Sequence, residues 1–109
     1  MFPLYGIRNI VNRQASTVTG SAWTKFSASG KARAGVEIRN PDSTLKLWVR
    51  RVQAGGSAPS APTGPQDADF SIAPDSTLAL AYCDAIDIYL CNSSGTSTSS
   101  NFVAGEVGF

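Results

Sequence analysis

The stretch that most constrains the fold runs from Gly35 to Val52, GVEIRNPDSTLKLWVRRV, where apolar and polar residues alternate on both sides of Asn40-Pro41-Asp42-Ser43. Alternation with a period of two is typical of a β-strand that buries one face. Proline sets φ for a turn, and Asn and Asp side chains can bond the turn's own backbone. The sequence therefore predicts two antiparallel strands joined as a hairpin.

One register of this hairpin gathers the apolar side chains on one face, because directly opposite residues of an antiparallel pair share a face. It places Val36 and Ile38 opposite Leu47 and Leu45. The other face then carries a basic surface with an outward tryptophan, formed by Arg33, Arg39, Lys46, Trp48 and Arg50. That surface has two interpretations: ordinary solvated surface, or a site for an acidic partner.

Composition favours a single all-β domain. The chain has 109 residues, and its ten Gly, six Pro and many Ser and Thr separate short runs of β-branched and aromatic residues. We expect an antiparallel β-sandwich or jelly-roll-like barrel of six to seven strands over residues 16–109.

The two halves of the chain carry opposite charge. Residues 1–52 hold all nine Lys and Arg and two acids, a net +7, whereas residues 53–109 hold six acids and no base, a net −6. Either the halves of one sandwich neutralise each other, or the molecule has a basic and an acidic side suited to head-to-tail contact.

Residues 1–15 are apolar without a clear period, so that they predict either a first core strand or an N-terminal arm that docks on a neighbouring subunit. The arm's candidate partner-binding residues are Phe2, Leu4, Tyr5 and Ile7. The opening has no pattern of a signal peptide, and no segment reaches the ~20 apolar residues of a membrane helix. We expect a chain made in the cytoplasm of its host cell.

The alternating run from Ser16 to Phe26 predicts a half-buried strand with Val18, Ala22 and Phe26 inward and Trp23 outward. Two outward tryptophans suggest an interface, since aromatic side chains are enriched where protein surfaces meet. Trp23 is therefore a further candidate partner-binding residue.

Residues 53–69 have three prolines, three glycines and no large apolar side chain, which predicts a flexible surface loop. A second predicted hairpin places Leu80 opposite Ile88, and a last strand pairs Leu90 with Val103 and ends at Phe109. In this register Cys83 and Cys91 are on the order of 20 Å apart, so that both are expected to be free thiols.

Sequence motifs typical of catalytic, metal-binding or phosphate-binding sites are scarce. The chain has no histidine, its two cysteines have no zinc-site partners, and no glycine-rich phosphate loop is present. Asp84 with Asp87, or Asp67 with Asp69, could contact a cation, but Asp is also an ordinary turn residue. We therefore expect no enzyme, no cofactor and no metal.

Three segments carry a resemblance to a known group of proteins: GVEIRNPDSTLKLWVRRV, FSIAPDSTLALAY and AIDIYLCNSSGT. Over Gly35 to Thr96 the chain resembles small all-β virion accessory proteins of tailed bacteriophages. In those proteins glycine usually follows the proline of the second motif, where this chain has Asp75. The resemblance implies a structural role and carries over no binding site.

The resulting expectation is a capsid decoration or cement subunit of a virion that binds and stabilises the major capsid shell. It would self-associate as a dimer or trimer, with no nucleic-acid or membrane partner. The alternative is a receptor- or glycan-binding module of a phage tail or head fibre, in which the outward tryptophans stack on sugars.

Overall fold

A computed structural model describes residues 9–26, 35–81 and 86–108, and these form an all-β domain. Alternating apolar residues and Gly- or Pro-containing turns produce eight strands, with one short 3-10 turn at Pro65–Asp67. The strands are β1 Asn9–Thr19, β2 Thr24–Phe26, β3 Gly35–Asn40, β4 Leu47–Gln53, β5 Phe70–Ile72, β6 Ser76–Ala81, β7 Ile86–Asn92 and β8 Ser99–Gly108.

The strands form two four-stranded antiparallel sheets. Sheet A has the order β1-β8-β3-β6, and sheet B has the order β2-β7-β4-β5. Apart from β4 and β5, consecutive strands lie in different sheets, so that the chain repeatedly crosses the sandwich. This is the arrangement of an eight-stranded jelly roll. The predicted all-β sandwich class is confirmed, with eight strands in place of six to seven.

The predicted hairpin of Gly35–Val52 is wrong. Its first strand, β3, pairs with β6 and β8 in sheet A, whereas β4 pairs with β5 and β7 in sheet B. Alternation correctly places Ile38 and Leu47 in the core, but they reach it from opposite sheets. A period of two identifies the buried face of a strand and does not identify its neighbour.

The later pairings are wrong for the same reason. Strand β6 lies in sheet A and β7 in sheet B, while β8 pairs with β1 and β3. The inward face of β8 is also the opposite of the predicted one, because Phe102 and Ala104 join the core and Val103 faces outward. Glu106 shares the inward face and is fully buried. Phe109 lies outside the described residues.

Residues Asn9–Thr19 form β1, which pairs with β8 and has a register shift between Val11 and Gln14. The boundary expected at residue 15 therefore falls within a strand, and residues 1–8 lie outside the described ranges. The single strand predicted over residues 16–26 is divided at Gly20, where a Cβ would meet the Ser94 Oγ at 2.3 Å. Ala22, predicted to be inward, is exposed.

Apolar side chains from both sheets fill the space between them. Val36, Ile38, Leu47, Val49 and Leu90 are fully buried, and Val18 and Phe26 are about as deeply placed. Burial of a Val, Leu, Ile or Phe side chain contributes about 1.5–3 kcal/mol. This shared core holds sheets A and B together.

Four crossings between the sheets, residues 20–23, 41–46, 73–75 and 93–98, lie at one end of the sandwich, which we call the crossing end. Buried Asn40 donates from its side-chain amide to the carbonyl oxygens of Leu45 at 2.9 Å and Ile72 at 3.1 Å. Buried Asn92 does the same to Val18 at 3.2 Å and Thr98 at 2.9 Å. Each asparagine thus satisfies backbone groups that leave the sheet ladder.

Two of the crossings share the five-residue sequence PDSTL, at residues 41–45 and 74–78. The amide of Asp75 donates to the carbonyl of Asp42 at 3.1 Å, which joins the two copies. Asp75 has a φ of +56°, in the left-handed region that glycine adopts more readily. Glycine, the residue usual in the resembling proteins, would therefore fit the same backbone.

Candidate interaction surfaces

The outer face of sheet B carries large side chains that are nevertheless buried. Trp48, Asp87, Tyr89 and Cys91 alternate with core residues and so point away from the core. Their exposed fractions are only 8% for Trp48, 2% for Asp87, 6% for Tyr89 and 0% for Cys91. The outward direction predicted for Trp48 is correct, but the accessible surface expected there is not present.

The loop of residues 54–69 contacts this face near both of its ends. At its start, the Gly55 amide donates to Oδ2 of Asp87 at 3.3 Å. Near its end, the Asp67 carboxylate interacts electrostatically with Arg50 and Cys91 on the same outer face. The Asp69 amide then donates to the Val49 carbonyl at 2.8 Å. We call residues 54–69 the strap, since these contacts fix it across sheet B.

The strap lies within the surface loop predicted over residues 53–69, and it is attached to sheet B. It also holds its own shape, because Oδ2 of Asp67 accepts from the Thr63 amide at 2.7 Å and from the Thr63 hydroxyl at 2.8 Å. These hydrogen bonds keep the pKa of Asp67 below its usual 3.8. Small residues and backbone amides are sufficient to cover a sheet face.

Cys91 is a free thiol beneath this cover. Burial, and to a lesser degree the charge of Asp67, raise its pKa from 9.0 to about 12. The nucleophilic form of cysteine is the thiolate, so that Cys91 is chemically inert at neutral pH. The register used to separate the two cysteines is wrong, and Cys83 lies outside the described residues.

The outer face of sheet A differs from that of sheet B in the size and charge of its side chains. Its described side chains are small and mostly uncharged: Ala15, Thr17, Thr19, Glu37, Arg39, Thr77, Ala79, Asn101 and Val103. The alanines, Thr17, Thr77 and Asn101 are exposed. An open depression of about 470 Å³ on this side of the sandwich is lined by residues of β1 and β8 and by Pro41.

Ion pairs connect the basic and acidic halves of the chain. Lys25 Nζ lies 3.4 Å from Asp87, Arg51 Nε lies 3.3 Å from Asp69, and Arg39 contacts Asp75. In each of these pairs, a cation from residues 1–52 meets an acid from residues 53–109. This arrangement matches neutralisation within one sandwich. The Arg39–Asp75 and Arg51–Asp69 pairs are exposed, and exposed pairs contribute about 0–1 kcal/mol each.

The predicted partner-binding residues do not form one surface. Arg39 lies on the outer face of sheet A, whereas Trp48 and Arg50 lie on that of sheet B. Lys46 belongs to the crossing end, where its amide donates to the Ser93 hydroxyl at 2.9 Å. The separation follows from the wrong hairpin, since a β3–β4 pair would have put these residues on one face.

The other predicted binding residues give little further definition. Trp23 is half-buried between β1 and β2, and its Nε1 atom is buried with no hydrogen-bond partner among the described residues. The remaining candidates, Arg33, Phe2, Leu4, Tyr5 and Ile7, lie outside the described ranges. The small outward residues of sheet A are not among the predicted binding residues.

Three of the four carboxylates considered for a cation have other contacts: Asp67 with Thr63, Asp69 with Arg51 and Asp87 with Lys25. The fourth, Asp84, lies outside the described residues. Within residues 9–26, 35–81 and 86–108, no group of three His, Cys, Asp or Glu is placed to hold a metal ion. In the same ranges, no helix is long and apolar enough to cross a membrane. Comparisons with protein-family models, curated proteins and solved structures found no match to this chain.

Proposed function

We propose that this protein is a non-enzymatic structural subunit of a virion, which decorates or cements the capsid by docking the outer face of sheet A on the shell. The proposal rests on the difference in solvent exposure between the outer faces of sheets A and B. The chain folds its own strap over sheet B, whereas small exposed residues such as Thr17, Ala79 and Asn101 form the outer face of sheet A.

The chemistry of this face favours contact with another protein surface. Ala, Thr and Val lose little side-chain entropy when they are immobilised, compared with Lys, Arg or Glu. Small side chains also allow two backbones to approach closely, and the Thr and Asn side chains can form hydrogen bonds across the contact. Of the two charged groups, Arg39 already contacts Asp75, which limits the cost of removing it from water.

Two further considerations support the proposal. The jelly roll is a recurrent architecture of viral capsid proteins, although it also occurs in lectins and therefore does not establish a function alone. The sequence resemblance over Gly35 to Thr96 points to the same class of protein. In this proposal the partner is the major capsid protein or another virion protein, and the subunit is present in several copies.

The test compares virion shells with and without the protein. Shells that carry it should withstand a higher temperature and a lower salt concentration before they disassemble, because each docked subunit adds contacts between shell proteins. Electron microscopy and light scattering would follow the intact fraction. Equal resistance of the two kinds of shell would contradict the cementing function.

A second candidate, a glycan-binding module, is favoured by one observation. An open depression of about 510 Å³ is lined by Arg51, Val52, Gln53, Asp69 and Ile86, which include groups able to bond sugar hydroxyls. The tryptophan stacking first expected is not available at Trp48, which is 8% exposed.

Titration with a glycan library, followed by tryptophan fluorescence and calorimetry, would test this candidate. Gln53→Ala should remove glycan binding. Gln66→Ala, which changes an exposed residue of the strap outside the depression, should leave binding unchanged. Absence of binding by the unmodified protein would exclude the candidate.

A further inference from the structure

Strand β6, Ser76–Ala81, is an edge strand of sheet A. It pairs with β3 on one side, and no described strand pairs with its other side. In an antiparallel ladder, alternate residues direct their amide and carbonyl groups away from the existing partner. The open side of β6 therefore presents backbone donors and acceptors that another strand can bind.

The other edge strands have features that oppose such pairing. Strand β1 contains a register shift between Val11 and Gln14, which disrupts the regular ladder. Strands β2 and β5 have only three residues each. By contrast β6 has six residues, STLALA, with no charge and no proline. Bulges, charges and short length are the devices that keep sheet edges from associating, and β6 has none of them.

Apolar side chains line the same side of the sandwich. Leu78 and Leu80 of β6 point inward and, with Phe70 of β5, pack against the core while remaining only partly buried. Strands β5 and β6 are the corresponding edges of sheets B and A. The gap between the sheets at this edge therefore has an apolar seam, which we define by Phe70, Leu78 and Leu80, and the Arg51 guanidinium lies 4.9 Å from the centre of the Phe70 ring at its border.

We propose that β6 pairs in antiparallel fashion with β6 of a second copy of this chain, about a two-fold axis, so that the two A sheets become one continuous sheet. A two-fold pairing places each edge against its own copy, and a charge on the strand would then face a like charge. The neutral sequence of β6 avoids this repulsion. The pairing also brings the two apolar seams together, which removes more of Leu78 and Leu80 from water.

The size of the contact sets its strength. Six strand residues span about 20 Å, and three apolar side chains per copy add less area than the 1,200–2,000 Å² of a typical stable interface. We therefore expect a weak, reversible dimer. The inference does not rest on the virion function, since the pairing uses only the edge of sheet A and can be tested with the isolated protein.

Sedimentation velocity over a range of concentrations tests the pairing with two matched lysine variants. Ala79→Lys and Ala15→Lys both change an exposed alanine on the outer face of sheet A, one on β6 and the other on β1. The unmodified protein and Ala15→Lys should reach a mass twice the 11.4 kDa of the chain. Ala79→Lys should remain monomeric at concentrations at least tenfold higher.

Amide hydrogen exchange on the unmodified protein gives a second measurement that requires no variant. Protection of residues 76–81 should increase with protein concentration, while that of β2, at the opposite side of sheet B, should not. The proposal would be overturned by any of three results: an unmodified chain that stays monomeric, an Ala79→Lys variant that still dimerises, or protection of β6 that does not depend on protein concentration.

Discussion

The outer faces of the two four-stranded sheets differ in the size and the solvent exposure of their side chains. On sheet B, the outward side chains of Trp48, Tyr89 and Cys91 are 8% exposed or less, and the strap is attached to the same face. On sheet A, the outward residues are small, and many are exposed. The covered face functions as a second, thin core, whereas the uncovered face is available for contact with other molecules.

The largest expected difference between the faces concerns stability. Trp48→Ala should lower the free energy of unfolding by about 3–5 kcal/mol, because it leaves a cavity beneath the strap. Thr17→Ala, on the exposed face of sheet A, should change it by less than about 0.5 kcal/mol. Denaturant unfolding measures both. Similar small losses in the two variants would show that the strap does not cover sheet B.

The attachment of the strap should have an intermediate effect. Asp87→Asn weakens the contacts of a 2%-exposed carboxylate with Lys25 and the Gly55 amide, and should cost about 1–3 kcal/mol. Asp75→Asn removes an exposed ion pair with Arg39 and should cost about 0–1 kcal/mol. Thermal and denaturant unfolding would compare the two. A larger loss at Asp75 would reverse the comparison.

The buried thiol predicts a dependence of stability on alkaline pH. The pKa of Cys91 is raised from 9.0 to about 12 in the folded protein, so that folding favours the neutral thiol. This stabilisation is complete below pH 9 and is lost as the pH rises from 9 towards 12.

The measurement is the free energy of unfolding at pH 8 and pH 10.5 in a Cys83→Ser background. It should fall more in that protein than in the same protein with Cys91→Ala, and Cys91 should resist alkylation at pH 8 until the protein unfolds. Parallel losses in the two proteins, or rapid alkylation of the folded state, would place Cys91 in contact with solvent.

The smallest effect is expected within the strap at acid pH. Hydrogen bonds from Thr63 lower the pKa of Asp67 below 3.8, so that its stabilising contribution is present above pH 3.8 and is lost as the pH falls through the lowered value. Amide exchange of Thr63, corrected for its intrinsic pH dependence, should accelerate between pH 6 and pH 2.5. Asp67→Asn should show no such transition, and a transition of the same size would contradict this account.

The sequence predicts the strands better than it predicts their partners. Alternation correctly assigns Val36, Ile38, Leu47 and Val49 to the core. It cannot distinguish a hairpin from a crossing between sheets, because both require a turn between two half-buried strands. The crossing depends on Asn40, which is buried and donates to three backbone carbonyls on two segments, at Leu45 and at Ile72-Ala73. These contacts are visible only in the folded chain.

The candidate surface was predicted less well. The alternation of β4 places Trp48 on the outward face, but its exposure also depends on the strap, whose contact with sheet B is not indicated by any large apolar residue. The exposed small residues of sheet A, such as Ala15 and Asn101, carry no motif in the sequence. They become a surface only because β1, β8, β3 and β6 lie side by side.

Occupancy of shells by two arginine variants tests the central claim most directly. Asn101→Arg adds a long charged side chain to the exposed face of sheet A, and Ser71→Arg does the same on the outer face of sheet B. With both variants folded to the same melting temperature, Ser71→Arg should load onto shells at the level of the unmodified protein, and Asn101→Arg should lose at least tenfold in affinity. Loss of binding by Ser71→Arg with full binding by Asn101→Arg would contradict the assignment of sheet A as the docking face.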